Sequence, residues 1–195
     1  ALIEAFHLEF NINEPVSLLI KTHKPNTRVE ELMKVVNQEC ETVKQALKLY
    51  PSTSQYKSEL LITRDLPPEE ISKIHNTCDC FVSSSFGEAW NIPLWEAMAY
   101  GKHVISPKEG GPKDYLAKYS KAALLNGKYT PITGMNETFP NLHSGRENWF
   151  SVSIHELQGS MRAAYENRNK PSNSLEIIRN YSYESVGKLM LKELV

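Results

Sequence analysis

Glu88 and Glu96 are separated by seven residues, within a stretch that runs Ser83-Ser84-Ser85-Phe86-Gly87-Glu88-Ala89-Trp90-Asn91 and then turns apolar. A short apolar strand hands over here to a helix that opens near Asn91 and Pro93 and runs to Gly101 as its C-cap. At such a handover the first backbone N–H groups of the helix have no intrahelical partner and point outward with the positive end of the dipole, so the place attracts anions. Gly87 lets a ligand approach the backbone closely and Asn91 is a good cap, but both features serve any strand-to-helix turn, so the carboxylates carry the argument further. Glu96 sits among Ile92, Leu94, Trp95, Ala97, Met98, Ala99 and Tyr100, which predicts a helix buried on most sides, where a charge needs a partner. Either Glu96 occupies the one solvated stripe, or it faces a cleft and accepts hydrogen bonds from hydroxyls; the second reading is favoured. With Glu88 facing the same cleft, two acids flank a helix end. That pattern suits a phosphate held between two polyhydroxyl groups, which is how a nucleotide sugar is built.

The elements that must position these residues follow from hydrophobic period. Leu2, Ile3, Phe6 and Phe10 keep helical spacing from the first residue, so the chain is expected to begin inside a domain. Val16 to Thr22 reads as a buried strand. Val29, Leu32, Met33, Val36, Cys40, Val43 and Leu47 predict a long amphipathic helix closed by Pro51. Leu60 to Thr63 is a second strand, and Asp65 with Pro67, Pro68, Glu69 and Glu70 starts a helix whose buried side carries Ile71 and Ile74. Cys80 to Val82 and Val104-Ile105 are strands, Gly110-Gly111-Pro112 leads into a short helix around Tyr115, and Ala122 to Leu125 is one more strand. Gly127 to Trp149, rich in Gly, Pro, Asn and Thr, is expected to be a long loop. Leu157, Met161, Ala164 and Tyr165 form a further helical face, and Ser182 and Glu184 open a final helix. Strict alternation of strand and helix predicts an α/β fold: a Rossmann-like parallel sheet with helices on both faces and ligands at the carboxyl ends of the strands.

Composition narrows the function classes. The chain of 195 residues carries 22 Lys and Arg against 23 Asp and Glu, interleaved, for a net charge of −1, so it offers no concentrated positive field for nucleic acid or anionic membrane. Three cysteines, Cys40, Cys78 and Cys80, argue against a disulfide framework and for a reduced cytoplasmic setting. Cys78-Asp79-Cys80 has no second ligand cluster, so no metal is expected. On a strand, Cys78 and Cys80 would point to opposite faces. No stretch is apolar enough to span a bilayer, and the opening residues lack a signal peptide's features. The six histidines, His7, His23, His75, His103, His143 and His155, show no Ser-His-Asp logic and read as packing or surface residues. Trp149 reads as a core residue anchoring the long loop.

The block Gly87-Glu88-Ala89-Trp90-Asn91-Ile92-Pro93-Leu94-Trp95-Glu96-Ala97-Met98-Ala99-Tyr100-Gly101-Lys102-His103-Val104-Ile105 resembles the signature of the family 4 (group 1) glycosyltransferases. In that signature a Glu, seven residues and a second Glu lead into Ala-Met-Ala, one residue and Gly, before a strand that ends in a Gly-Gly turn. Gly110-Gly111 with Asp114 resembles that turn, and the Cys-Asp-Cys-Phe-Val strand and the Asn-Tyr-Ser-Tyr-Glu helix start also fit. The resemblance implies a GT-B enzyme of two Rossmann-like halves. Residues 1–195 would form the single C-terminal, donor-binding domain, with the acceptor site on an N-terminal domain outside this chain. Position by position it implies that Glu88 acts at the transferred sugar near the reacting carbon, as the catalytic residue, and that Glu96 holds the ribose hydroxyls. Gly87, Ala89, Trp90, Asn91 and Ile92 would meet the sugar and diphosphate, Ala89 to Ile92 through backbone N–H groups; Thr22 is placed on the donor side too, and Arg64 and Leu66 lie where the base is contacted. Transfer would proceed with retention, on a nucleoside diphosphate sugar, without metal or cofactor.

Two departures stand out. The family usually has Gly where Asn91 stands and a smaller aromatic where Trp90 stands, and the basic pair that grips the diphosphate would precede Ala1. Lys21, Lys24, Lys108 and Lys113 lie near strand ends but read as solvated. A non-catalytic nucleotide-sugar-binding or partner-docking module of the same shape is the second reading. A flavodoxin-like signalling domain is a third, one that leaves Glu96 unexplained.

Overall fold

Apolar period and turn chemistry resolve, in the computed structural model, into alternating short strands and helices; the structure describes residues 1–132 and 146–194. In chain order these are α1 (Leu2–Glu9), β1 (Leu19–Lys21), α2 (Val29–Leu47), β2 (Leu60–Ile62), α3 (Pro68–Thr77), β3 (Cys80–Val82), α4 (Ile92–Ala99), β4 (His103–Pro107), α5 (Pro112–Leu116), β5 (Ala122–Leu125), β6 (Gly127–Pro131), β7 (Asn148–Val152), α6 (Ile154–Glu166), α7 (Ser174–Asn180) and α8 (Tyr183–Leu194).

β1 and β2 pair in parallel, Ile20 opposite Leu61. β3, β4 and β5 form a second parallel set in that order, with Phe81 opposite Val104 and Ile105 opposite Ala123. Side chains alternate across this second set because successive Cβ atoms leave a strand on opposite sides. Ile105, Leu125, Cys80, Val82 and Ala123 pack into a core with Ala5, Phe6 and Phe10 of the first helical segment and Leu157, Met161 and Ala164 of α6. Val104, Phe81 and Ala122 face the other way, into a core with Leu94, Ala97 and Met98 of α4, Tyr115 and Leu116 of α5, and Ile177 of α7. A strand covered on both faces needs no polar side, and all five residues of β4 are buried. The α/β architecture with helices on both faces is as predicted.

Four details differ from the sequence reading. The stretch from Gly127 to Trp149 is not wholly a loop. Its ends, β6 and β7, pair as an antiparallel hairpin with Tyr129 opposite Phe150, while the middle of the stretch and His143 lie outside the described residues. A methyl group on Gly127 would come within 2.1 Å of the Ser151 carbonyl, so this glycine serves close strand approach rather than loop freedom. α7 was not anticipated. Helix α4 buries Leu94, Ala97 and Met98 but leaves a stripe at i, i+4, i+8 open, with Ile92 63% and Tyr100 40% exposed, so it is buried on one face rather than on most sides. Cys78 ends α3 rather than sitting on β3, and the opposite-face expectation for the two cysteines does not apply.

Two ionic clusters bind the first helix to its neighbours. Arg162 of α6 donates to Glu9 and to Glu14, each at 2.6 Å, with its guanidinium 4.5 Å from the Phe10 ring centroid. On α1's other flank His7, fully buried, meets Glu59 at 2.5 Å, and Lys44 of α2 donates to the second Glu59 oxygen at 2.8 Å. Burial by itself raises the Glu59 carboxyl; the hydrogen bonds from His7 and Lys44 outweigh it and bring the group down to about 2.

Candidate functional site

The carboxyl end of β3 opens into the loop that sequence reasoning singled out. Ser83 still donates its N–H to Ile105 at 2.8 Å, so the loop departs from a fixed strand end. Its buried hydroxyl accepts the Asn91 side-chain amide at 3.1 Å, and Ser85 Oγ donates to Glu88 Oε1 at 2.8 Å. Asn91 caps α4 by accepting from the Leu94 N–H at 3.3 Å, with φ 61° and ψ 73°. That left-handed conformation explains the residue: glycine adopts it freely and asparagine is among the few others that tolerate it, while also supplying a cap oxygen. Among the described residues, no acceptor pairs with the backbone N–H groups of Ala89, Trp90, Asn91 or Ile92.

The loop is held from behind by the Gly-Gly turn. Gly111 donates its N–H to the Glu88 carbonyl at 3.0 Å. A methyl on Gly111 would lie 1.8 Å from the Ala89 carbonyl oxygen, and one on Gly110, whose φ is 100°, would lie 2.9 Å from that of Glu88. Only backbone fits between these two segments. Tyr115, 1% exposed, donates its hydroxyl to the Trp90 carbonyl at 2.8 Å, and burial pushes the phenol pKa upward, keeping it a donor. The Trp90 ring packs among Trp95, Tyr115 and Tyr181, with centroids 5.5, 4.9 and 5.4 Å away. The large aromatic thus fills the core side of the loop.

Glu96 stands on the open stripe of α4, its side chain 43% exposed, with Oε2 3.4 Å from His75 Nε2. His75 comes from α3, is 7% exposed, and stacks on Tyr100 with centroids 5.6 Å apart and planes at 13°. The solvated-stripe reading of Glu96 is the one this placement matches; its polar neighbour is a histidine of α3, and it lines neither of the hollows that flank Phe86. The sequence offers His75 only as a packing or surface residue. Its contact arises only when α3 docks beside α4, which no local spacing announces.

Two adjoining hollows flank Phe86. One, of 410 Å³, is lined by Phe81 to Phe86 with Glu88 and Asn91. The other, of 360 Å³, is lined by Phe86, Gly87, Glu109 and Gly110 with Tyr129, Asn148, Trp149 and Phe150 of the hairpin. Phe86 stacks flat on Trp149, centroids 4.0 Å apart at 8°, and its carbonyl accepts the Phe150 N–H at 3.2 Å. Trp149 is not a core residue as expected from the sequence: it is part-buried on β7, stacked on Phe86 and lining the second hollow. A methyl on Gly87 would meet nothing within 4 Å, so the space before it is open.

Of the predicted site residues, Glu88, Asn91 and Gly87 line these hollows; Ala89, Trp90, Ile92 and Glu96 surround the same loop and helix start without lining them. Thr22, Arg64 and Leu66 are not brought to either hollow. The Thr22 N–H donates to the Ile62 carbonyl at 2.9 Å, Arg64 is exposed and paired with Glu70, and the Leu66 N–H donates to Asp65 at 3.1 Å. Lys108 donates to Asn126 at 2.7 Å and Lys113 lies 3.7 Å from Glu109, while Lys24 is exposed. His103 bonds the Asn167 carbonyl at 2.9 Å, and His23 and His155 are exposed. The cysteines are free; burial raises all three thiols, Cys80 to about 12 with Asp79 adding to the effect. Among the described residues no helix is long and apolar enough to cross a membrane, and no group of His, Cys, Asp and Glu is set for a metal ion.

Comparison with known proteins places the family model described as glycosyl transferases group 1 on residues 4–131. That stretch runs from α1 through β6 and holds both carboxylates, the helix start between them and the Gly-Gly turn. No curated protein matches the chain.

Proposed function

Because the chain belongs to the glycosyl transferases group 1 family, we propose that it binds a nucleoside diphosphate sugar at the carboxyl end of β3 and serves its transfer, with retention, to an acceptor hydroxyl. The observation that carries this reading is the set of N–H groups from Ala89 to Ile92 that have no acceptor among the described residues, fixed at the start of α4 by the left-handed Asn91 and by the Tyr115 hydroxyl on the Trp90 carbonyl. Negative charge grows on the diphosphate oxygen as the bond to the sugar's anomeric carbon breaks. Preorganised N–H groups and a helix dipole lower the energy of that charge without reorganising during the reaction. Glu88, steadied by Ser85, accepts hydrogen bonds from the transferred sugar beside the reacting carbon, and Glu96, with its side chain 43% exposed, accepts them from the ribose hydroxyls. Catalysis on this chain is positioning and charge stabilisation, with neither metal nor cofactor. Residues 1–195 act as one donor-binding domain of a GT-B enzyme, cytoplasmic in setting. Most of the acceptor contacts lie on another half, so the isolated chain binds donor and transfers little.

Calorimetric titration with UDP, GDP and their sugar conjugates tests this. Selective binding by the wild type, weakened in Glu96→Ala for nucleotide and sugar nucleotide alike and in Glu88→Ala for the sugar conjugate alone, is the expected result. Absence of binding to every nucleotide by the folded protein would remove the reading.

A further inference from the structure

We propose that the hollow between the β6–β7 hairpin and the turns at Phe86-Gly87 and Glu109-Gly110 is a subsite for a saccharide ring of the acceptor. The inference rests on the transferase reading of the neighbouring loop and adds to it a residue set and a ligand class. Phe86 is 49% exposed although it already stacks on Trp149, and Tyr129, edge-on to Phe150 at 5.5 Å, is 63% exposed. Aromatic surface gathered in one place and left in water marks a ligand-binding surface. The polar groups beside it are two. Glu109 has one ion pair among the described residues, the 3.7 Å contact with Lys113, and the Asn148 side chain makes no hydrogen bond among the described residues. A pyranose has an apolar C–H face and a rim of hydroxyls; an aromatic wall bordered by a carboxylate and an amide complements both. The volume of 360 Å³ lies within the range of small-molecule sites.

Position separates this ring from the donor's. The carboxylate Glu88 and the Asn91 cap line the hollow on one side of Phe86, and the hairpin lines the one on the other side. A ring held by the hairpin is thus one side chain away from the loop that takes the transferred sugar, which is where an incoming hydroxyl has to be. Asn148, Trp149 and Phe150 of β7 lie beyond the matched residues 4–131, while Phe86, Glu109 and Tyr129 lie within them.

Methyl glycosides of the common hexoses, titrated into the chain and followed by saturation-transfer NMR, test the proposal, with nucleotide titrations run separately so that failure of the donor reading registers on its own. The expected result is saturable binding of at least one glycoside in the millimolar range, roughly tenfold weaker in Tyr129→Ala and in Asn148→Ala. It should be unchanged in Glu96→Ala and retained when a nucleotide sugar is added. Both substituted hairpin residues are exposed, so loss of fold is not at issue, and circular dichroism verifies it. No saturable binding at about 50 mM, far above a millimolar dissociation constant, overturns the proposal, as does binding indifferent to both substitutions. Displacement of the glycoside by nucleotide sugar but not by nucleotide alone overturns it in favour of the donor's own sugar occupying the hollow.

Discussion

Glu59 and Glu96 are both carboxylates beside a histidine, and the fold treats them in opposite ways. Glu59, 6% exposed, has His7 on one oxygen and Lys44 on the other; its charge is saturated by partners that are themselves buried. Glu96 is 43% exposed and has one 3.4 Å contact, to His75. A charge committed to the fold loses its solvent and must be fully paired, because an unpaired buried charge costs several kcal/mol. A charge committed to a ligand keeps unused acceptor capacity, which water fills until hydroxyls replace it. The carboxylate that is less well held is therefore the better candidate for function.

The largest effect is expected on the sealed side. Glu59→Gln removes the carboxylate charge that Lys44 and His7 share, taking from the buried Lys44 ammonium its closest anionic partner, and should lower unfolding free energy by about 3 kcal/mol in urea titration, while leaving nucleotide affinity unchanged in the folded fraction. The same pairing sets a pH window: the Glu59 carboxyl sits lower folded than unfolded, so its stabilisation is complete above about 4.5 and is lost as pH falls towards 2. Acid titration of the variant should be flatter across that interval. Gly111→Ala comes next, since its methyl would overlap the Ala89 carbonyl at 1.8 Å; displacing the loop should cost about 2 kcal/mol and weaken nucleotide binding as well, joining the two sides of the comparison. Tyr115→Phe strips the donor from the Trp90 carbonyl and should cost about 1 kcal/mol of stability. Smallest for stability is Glu96→Gln, within about 0.5 kcal/mol, yet nucleotide affinity should fall roughly tenfold or more as charge-assisted bonds are weakened. Equal losses of stability in Glu59→Gln and Glu96→Gln would break the comparison.

Where the chain speaks locally, sequence and structure agree. The three-and-four spacing from Val29 to Leu47, the prolines opening α3 and α4, Gly101 at φ 73° after α4 and the Asn91 cap are properties of neighbouring residues. The loop after β3 could be found because glycine, asparagine and two spaced acids advertise a helix end. What escaped is relational. The hairpin pairs Tyr129 with Phe150, 21 positions later, and its Gly, Pro and Asn look like breakers until the partner strand is in place. His75 meets Glu96, and Phe86 meets Trp149, only through docking of separate elements. Ile92 and Tyr100 read as buried from their apolar type; the helix uses one face against β4 and leaves the other, which carries them beside Glu96, open.

The three raised thiols make the native protein slow to react with alkylating reagents at neutral pH, since the thiolate is the reactive form. Cys40 lies in α2, Cys78 ends α3 and Cys80 begins β3 against the core shared with α1 and α6. Each thiol becomes a clock for the opening of its own neighbourhood, and comparing their labelling rates would show whether the molecule breathes in parts or only as a whole.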